Sequence, residues 1–343
     1  MRLEKFRKAI EKKERSYKTG FSEIPDWITT GNYALNAVVS GRMDLGIPVS
    51  RTTMISGLSG SGKSFLVSNI VKNAQQKGYF CIYIDTENSV GDAFMVKIGV
   101  DLSEDSFMPV TLYSVEELVQ FFADLLQNTT EDEKICLIVD SLSNLETERD
   151  LEKSEDGKVA YGQGLKEKLY KQLVRNINTK CGHRNMFAVF VAHEYVSGSD
   201  AYGNPICKPS VGQGTMYIPS VGLNLAKVDL KDGKEQVGIT VRCKTYKTRY
   251  TSLGQKCSFD LPWDRGMSPT DGCLDILEEC GIVNKNGAWY SYHNLDGDVV
   301  KFQSKNIDQH VEVLMARYAE MSGDVSEKDE DDANIDMIEE DQD

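Results

Sequence analysis

An α/β fold with a mostly parallel central sheet is predicted by three features of this sequence. The runs "FCIYID" (80–85), "ICLIVD" (135–140) and "MFAVFVAH" (186–193) are almost continuously apolar, as strands buried on both faces should be. Helix-compatible stretches separate them, and such alternation builds parallel sheets. The β-rich run "TTMIS" leads into the glycine-rich octapeptide "GLSGSGKS" (57–64), and a further helix-compatible run follows.

The elements can be justified in order. Residues 2–18 form a basic helix with Leu3, Phe6 and Ile10 on one face. So short a helix cannot bury that face alone, so it docks either on its own core or on a neighbouring subunit. A connector containing Pro25 and Gly31 completes an N-terminal segment, 1–32. The α/β core is expected over 33–267. Within it, "VGITVRCKTY" and "KCSFDLPW" alternate apolar with polar residues, the pattern of antiparallel strands at a sheet edge. A small C-terminal α+β module follows over 268–322, and 323–343 is an acidic tail. No internal repeat is present.

Composition excludes several classes. No apolar run approaches the roughly 18 residues needed to cross a bilayer, and "MRLEKFRKAIEKKERSY" lacks the apolar stretch of a secretory signal. The eight cysteines form no C-x-x-C pair and have no His partner at zinc spacing, which fits reduced thiols in a cytoplasm. The net charge of −14 is opposite to that of most nucleic-acid binders, but it is unevenly placed. Residues 1–20 are basic. Residues 324–343 carry eleven carboxylates against one lysine, the composition of a disordered tail. Such a tail either aids solubility or competes with a polyanion for a basic surface.

The octapeptide matches G-x-x-x-x-G-K-[ST] without substitution. Backbone amides of Gly57, Leu58, Ser59, Gly60, Ser61 and Gly62 can converge on phosphate oxygens. Lys63 brings a charge to the β/γ-phosphates of a nucleoside triphosphate, and the Ser64 hydroxyl reaches Mg2+. Magnesium takes a second anchor at the end of a neighbouring strand, where Asp140 closes "ICLIVD"; a helix or turn cap is the alternative. In "YIDTENS", Asp85 and Glu87 follow the second strand at the sheet edge where α/β proteins bind ligands. Glu87 is therefore a candidate base.

On these motifs and four others the chain resembles the RecA-class strand-exchange recombinases, most of all the UvsX recombinases of tailed phages, over residues 30–317. The others are "GDAFMVKIGVD", "VAHEY", "YKTRYTS" and "NGAWYSY". The resemblance implies a RecA-like P-loop ATPase that forms helical filaments on single-stranded DNA and exchanges it with homologous double-stranded DNA. It makes Glu87 the catalytic glutamate, Phe94 the aromatic stacked on adenine, and His193 the γ-phosphate sensor. Lys247 and Arg249 become residues that reach a neighbour's ATP, with Lys244 as a substitute. It also implies a mediator, a single-strand-binding protein, and work in the cytoplasm of an infected host if phage-encoded. Phe6 and Ala9 form an F-x-x-A, a subunit-docking motif in archaeal and eukaryotic relatives.

An acidic chain can still hold DNA through basic grooves and stacking, repeated along a filament. The first DNA loop is expected within 151–164, with Lys153, Lys158 and Tyr161 as contacts. The second, 196–218, is rich in Gly, Ser and Pro and aperiodic, and is expected to order on binding. Its candidates are Tyr202, Lys208, Tyr217 and the glycines of "VGQGTMY", Gly212 and Gly214. Two other functions share this core: a ring motor of the DnaB or RadA type, and a KaiC-class ATPase without DNA. The added domains of the ring motors have no room here, and the 196–218 loop and "GAWYSY" oppose the last.

Overall fold

The computed structural model describes residues 23–156, 163–199, 202–203, 205–252, 254–294 and 297–323. The expected N-terminal helix, the F-x-x-A motif, Lys158, Tyr161 and all but the first residue of the acidic tail lie outside these residues.

Strands β1 (Trp27–Ile28) and β2 (Ile47–Pro48) form a small antiparallel pair. The main sheet has nine strands. They are β3 (Thr52–Gly57), β4 (Phe80–Asp85), β5 (Phe107–Val110), β6 (Ile135–Asp140), β7 (Met186–Ser199), β8 (Pro205–Pro209), β9 (Val221–Asp232), β10 (Glu235–Lys247) and β11 (Lys256–Pro262). Their order is β11-β10-β9-β3-β7-β6-β4-β5, with β8 paired to β7 off this path. Pairing is parallel from β9 through β5 and antiparallel at β9/β10 and β10/β11. The apolar runs are thus central parallel strands, and the two alternating runs stand at one edge.

Helices α1 (Tyr33–Ser40), α2 (Lys63–Gln76) and α3 (Asp92–Ile98) cover one face of the sheet. On the other lie α4 (Val115–Asn128) and α6 (Gln163–Cys181), with α5 (Glu148–Glu155) between them in sequence. The strand period assigns the faces. In β6, Cys136 and Ile138 pack with Leu66, Ile70 and Val71 of α2, whereas Leu137 and Val139 pack with Leu118 and Phe122 of α4 and Leu173 of α6. Ser114 and Glu117 form a full capping box at the start of α4.

The α2-side core continues into the C-terminal elements, α8 (Cys273–Glu279), strands β12 (Asn284–Asn286), β13 (Trp289–His293) and β14 (Val299–Gln303), and α9 (Val311–Gly323). Tyr290, Tyr292 and Phe302 line the buried face of this three-stranded antiparallel sheet. Asn32 Nδ2 ties the segment to the start of α1, donating to Ser268 O (3.0 Å) and Asp271 O (2.9 Å).

The region 196–218 departs from expectation. Its described residues pair β7 antiparallel with β8 and then form the short helix α7 (Gln213–Met216), rather than an irregular loop. Main-chain pairing holds it together while Tyr195, Val196 and Ile206 stay exposed, so no burial pattern marks the strands in the sequence.

Asn36, fully buried in α1, offers a stability test. Its Oδ1 accepts from Thr30 N (2.8 Å) and Thr30 Oγ1 (2.7 Å), and its Nδ2 donates to Thr29 Oγ1 and Met43 O, both at 2.9 Å. Asn36→Ala strands a buried amide and a carbonyl, and should destabilise the protein by about 3 kcal/mol, read from the midpoint of denaturant unfolding.

Candidate active site

The Gly57–Ser64 loop joins β3 to α2. Gly60 (φ 71°) and Gly62 (φ 89°) occupy the left-handed region. Gly62 is also crowded: a Cβ there would touch Leu261 Cδ1 at 3.0 Å and Val241 Cγ2 at 3.2 Å, so β10 and β11 press directly on the loop. Gly62 caps α2 without any side-chain hydrogen bond, so the first amides of the helix are offered to an anion. Lys63 Nζ donates to Gly57 O (3.0 Å) and Leu58 O (2.9 Å). Burial lowers the Lys63 pKa, against the opposing pull of Asp140 and Glu87. The Ser61 hydroxyl is buried with no protein partner among the described residues. An unpaired buried hydroxyl, open amides and a lysine held at the loop fit a polyphosphate.

Asp140, at the end of β6, is buried, and burial raises its carboxyl pKa. Hydrogen bonds from Tyr83 (Oη to Oδ2, 2.7 Å) and Ser64 oppose the rise. The Ser64 hydroxyl and a desolvated carboxylate in contact are a donor set suited to a hard cation such as magnesium. Asp85 turns inward differently. Its carboxylate accepts the amides of Glu87 (2.9 Å) and Val90 (3.2 Å), so it shapes the turn that carries Glu87.

Glu87 and His193 meet: Nε2 of the imidazole is hydrogen-bonded to Oε1 of the carboxylate. Burial alone would raise the Glu87 pKa, but the hydrogen bonds from His193 and Ser141 and the Lys63 charge hold it below the usual range. An ionised carboxylate braced by an imidazole, near a lysine, can orient and deprotonate water. The register explains the encounter, because β7 pairs His193 with Gly57 while β4 ends beside β6 at Asp85.

A cavity of about 680 Å³ extends from the loop. Its lining includes Lys63, Ser64, Glu87, His193, Phe65 and Phe94. Phe94 stands edge-on to Phe65 with centroids 6.3 Å apart.

The profile of the RecA N-terminal domain matches residues 14–268. The chain belongs to the RecA family. It is 29% identical to Protein RecA of Cutibacterium acnes over 269 residues, covering 78% of this chain and 74% of that protein. It is 28% identical to Protein RecA of Methylobacterium sp. (strain 4-46) over 267 residues, 77% of this chain and 70% of that one. With Protein RecA of Ruminococcus albus it shares 28% over 250 residues, 73% of this chain and 61% of the relative.

Not every candidate joins this RecA-family cavity. Lys247 closes β10 opposite Gly222, which itself pairs with Met54, three residues before Gly57. Its ammonium is held by the carbonyls of Tyr217 and Ile218 instead, and burial followed by the neighbouring Arg249 lowers its pKa. Arg249 is exposed, and neither residue lines the cavity of its own subunit.

Among the DNA candidates, Lys208 and Tyr202 are exposed on or beside the hairpin, and Lys153 is half-buried on α5. Gly212 (φ 78°) and Gly214 lie against Glu167 and Lys171 of α6. Tyr217 packs edge-on against Tyr246 with centroids 5.9 Å apart. The hairpin is wired to His193: the amide and hydroxyl of Ser210 donate to His193 O (2.9 and 2.7 Å), and Ser143 Oγ takes the His193 amide (2.8 Å).

Sequence reasoning missed the far wall of the cavity. Trp263, Arg265 and Met267 follow β11, and Lys72 and Lys97 stand across from them. Lys97 Nζ donates to Trp263 O (3.0 Å), and Trp263 is 60% exposed. "KCSFDLPW" reads as an edge strand, and nothing local says where it ends. Two antiparallel steps make β11 parallel to β3, which delivers Trp263 to the same sheet edge as the phosphate loop.

Proposed function

We propose that this RecA-family chain is an ATP-dependent homologous-recombination protein of the UvsX type. It would assemble as a helical filament on single-stranded DNA and exchange strands with a homologous duplex in recombination, recombination-dependent replication and repair. The observation that carries this is the double attachment of His193, whose ring holds Glu87 and whose carbonyl holds the hairpin through Ser210, while Ser143 takes its amide. A DNA-induced shift in the hairpin would move the residue that orients the base, which makes hydrolysis DNA-dependent.

In this scheme the loop amides and Lys63 bind the phosphates, and Phe94 flanks the base. Glu87, oriented by His193, takes the proton of the attacking water. Bound magnesium supplies positive charge to the phosphate oxygens, and Ser64 and Asp140 are the residues that would hold it. Lys247 and Arg249, remote from the cavity of their own subunit, serve the neighbour's terminal phosphate. Lys153, Lys158, Tyr161, Tyr202, Lys208, Gly212 and Gly214 form the DNA surface. Residues 1–32 mediate assembly, 33–267 form the ATPase core, 268–322 a C-terminal module, and 323–343 a tail that competes with DNA. The working partners are a mediator and a single-strand-binding protein in the cytoplasm. Among the described residues no helix is long and apolar enough to cross a membrane.

Electron microscopy with single-stranded DNA and a slowly hydrolysed ATP analogue tests the assignment. Helical filaments are expected, whereas rings would favour a translocating motor. The shared site makes a second expectation. Lys247→Ala or Arg249→Ala subunits should bind ATP yet hydrolyse it poorly on DNA. Mixing either with Lys63→Ala subunits, whose Lys247 and Arg249 are intact, should recover part of the ATPase. Strictly additive loss in the mixture would place those residues outside the site.

A further inference from the structure

Strand β9 outruns the phosphate-loop strand. Strand β3 ends at Gly57, which pairs with Leu225, while β9 continues to Asp232. Leu223 and Leu225 point into the α2-side core, and Lys227 is the next residue on that face. Its side chain therefore lies over the loop rather than over the sheet. The Lys227 Nζ is its atom nearest Gly60, 2.7 Å from the point a Cβ there would occupy, with Cε at 3.9 Å. Gly60 thus leaves room for an ammonium group. No ion pair or hydrogen bond of Lys227 is present among the described residues, so no carboxylate neutralises it there.

The loop consequently sits between two ammonium groups. The Lys63 ammonium is buried at the start of α2, and the Lys227 ammonium reaches the loop at Gly60. Like charges brought to one eight-residue loop repel, and an anion between them turns the repulsion into attraction on both sides. The two lysines address different depths. Lys63 and Ser61 are buried, whereas Ser59 and Gly60 form the exposed outer rim. A polyphosphate whose inner groups lie at the helix N-terminus presents its outermost group to that rim.

We infer that Lys227 is a positioning residue of the same subunit, a second cation that holds the terminal phosphate of a bound nucleoside triphosphate and so distinguishes triphosphate from diphosphate. This rests on the nucleotide-site reading above. It also gives the β9–β10 hairpin a direct connection to the state of the nucleotide.

The test is equilibrium binding by the full chain, without turnover, of a non-hydrolysable ATP analogue and of ADP. Lys227→Met keeps the chain length and removes the charge. Affinity for the triphosphate should fall about tenfold, while affinity for ADP changes by less than about twofold, in line with the loss of one charge-assisted contact. Lys227→Arg should restore most of the discrimination, and the retained ADP binding shows that the variants are folded. Equal weakening of both nucleotides, or of neither, overturns the inference and leaves the nucleotide site standing. A wild-type protein that binds neither nucleotide overturns the site itself and this inference with it.

Discussion

Lys63→Ala is expected to abolish ATP hydrolysis, with DNA-stimulated turnover falling to background. The reason is the position of the ammonium. It is buried at the start of α2 and tethered to Gly57 O and Leu58 O, on the loop that carries the orphaned Ser61 hydroxyl and the open helix amides. Lys63→Arg tests geometry against charge, since a planar guanidinium cannot reproduce a compact ammonium between two carbonyls. It should also be severely impaired. Robust DNA-stimulated hydrolysis by Lys63→Ala would show that the loop does not carry the chemistry. The measurement is steady-state phosphate release with and without single-stranded DNA.

The second large effect separates chemistry from binding. Glu87→Gln keeps the shape and a hydrogen bond to His193 but loses the base. Nucleotide and DNA binding should survive while kcat falls by roughly 100-fold or more. The pH profile carries the sign. The Glu87 pKa lies below the ordinary carboxylate value of 4.5, because hydrogen bonds from His193 and Ser141 and the Lys63 charge outweigh burial. The carboxylate is therefore ionised at neutral and mildly acidic pH. Its catalytic form, and the stability its ionised state contributes, disappear only as pH falls through that lowered value. Acid inactivation arising from this group should therefore be centred at a lower pH than for an ordinary glutamate. A collapse of ATP affinity in Glu87→Gln, in place of a turnover defect, would make Glu87 structural.

Both experiments depend on groups that the sequence displays openly. Periodicity and composition located β3, β4, β6 and β7, the phosphate loop, and the antiparallel edge of β10 and β11, because a buried parallel strand must be apolar on both faces and an edge strand need not be. The octapeptide marked itself as the candidate phosphate loop through local geometry, since glycines at positive φ and a helix N-terminus are encoded within eight residues. Asp140 and Glu87 became candidates because each ends or follows a recognisable strand.

Strand order was decided only in three dimensions. That β7 pairs with β3, and β4 with β6, brings His193 onto Glu87 across 106 residues of sequence. Two antiparallel steps carry Trp263 to the cavity and leave Lys247 near the opposite end of β10. The overrun of β9 past Gly57 lifts Lys227 over Gly60. The 196–218 hairpin is held by main-chain hydrogen bonds between exposed strands, so no apolar pattern marks it in the sequence. Local sequence determines what each segment is, because propensity and burial act over a few residues. Which segments meet is settled by the packing of the whole sheet, whose free energy is distributed over residues far apart in the chain.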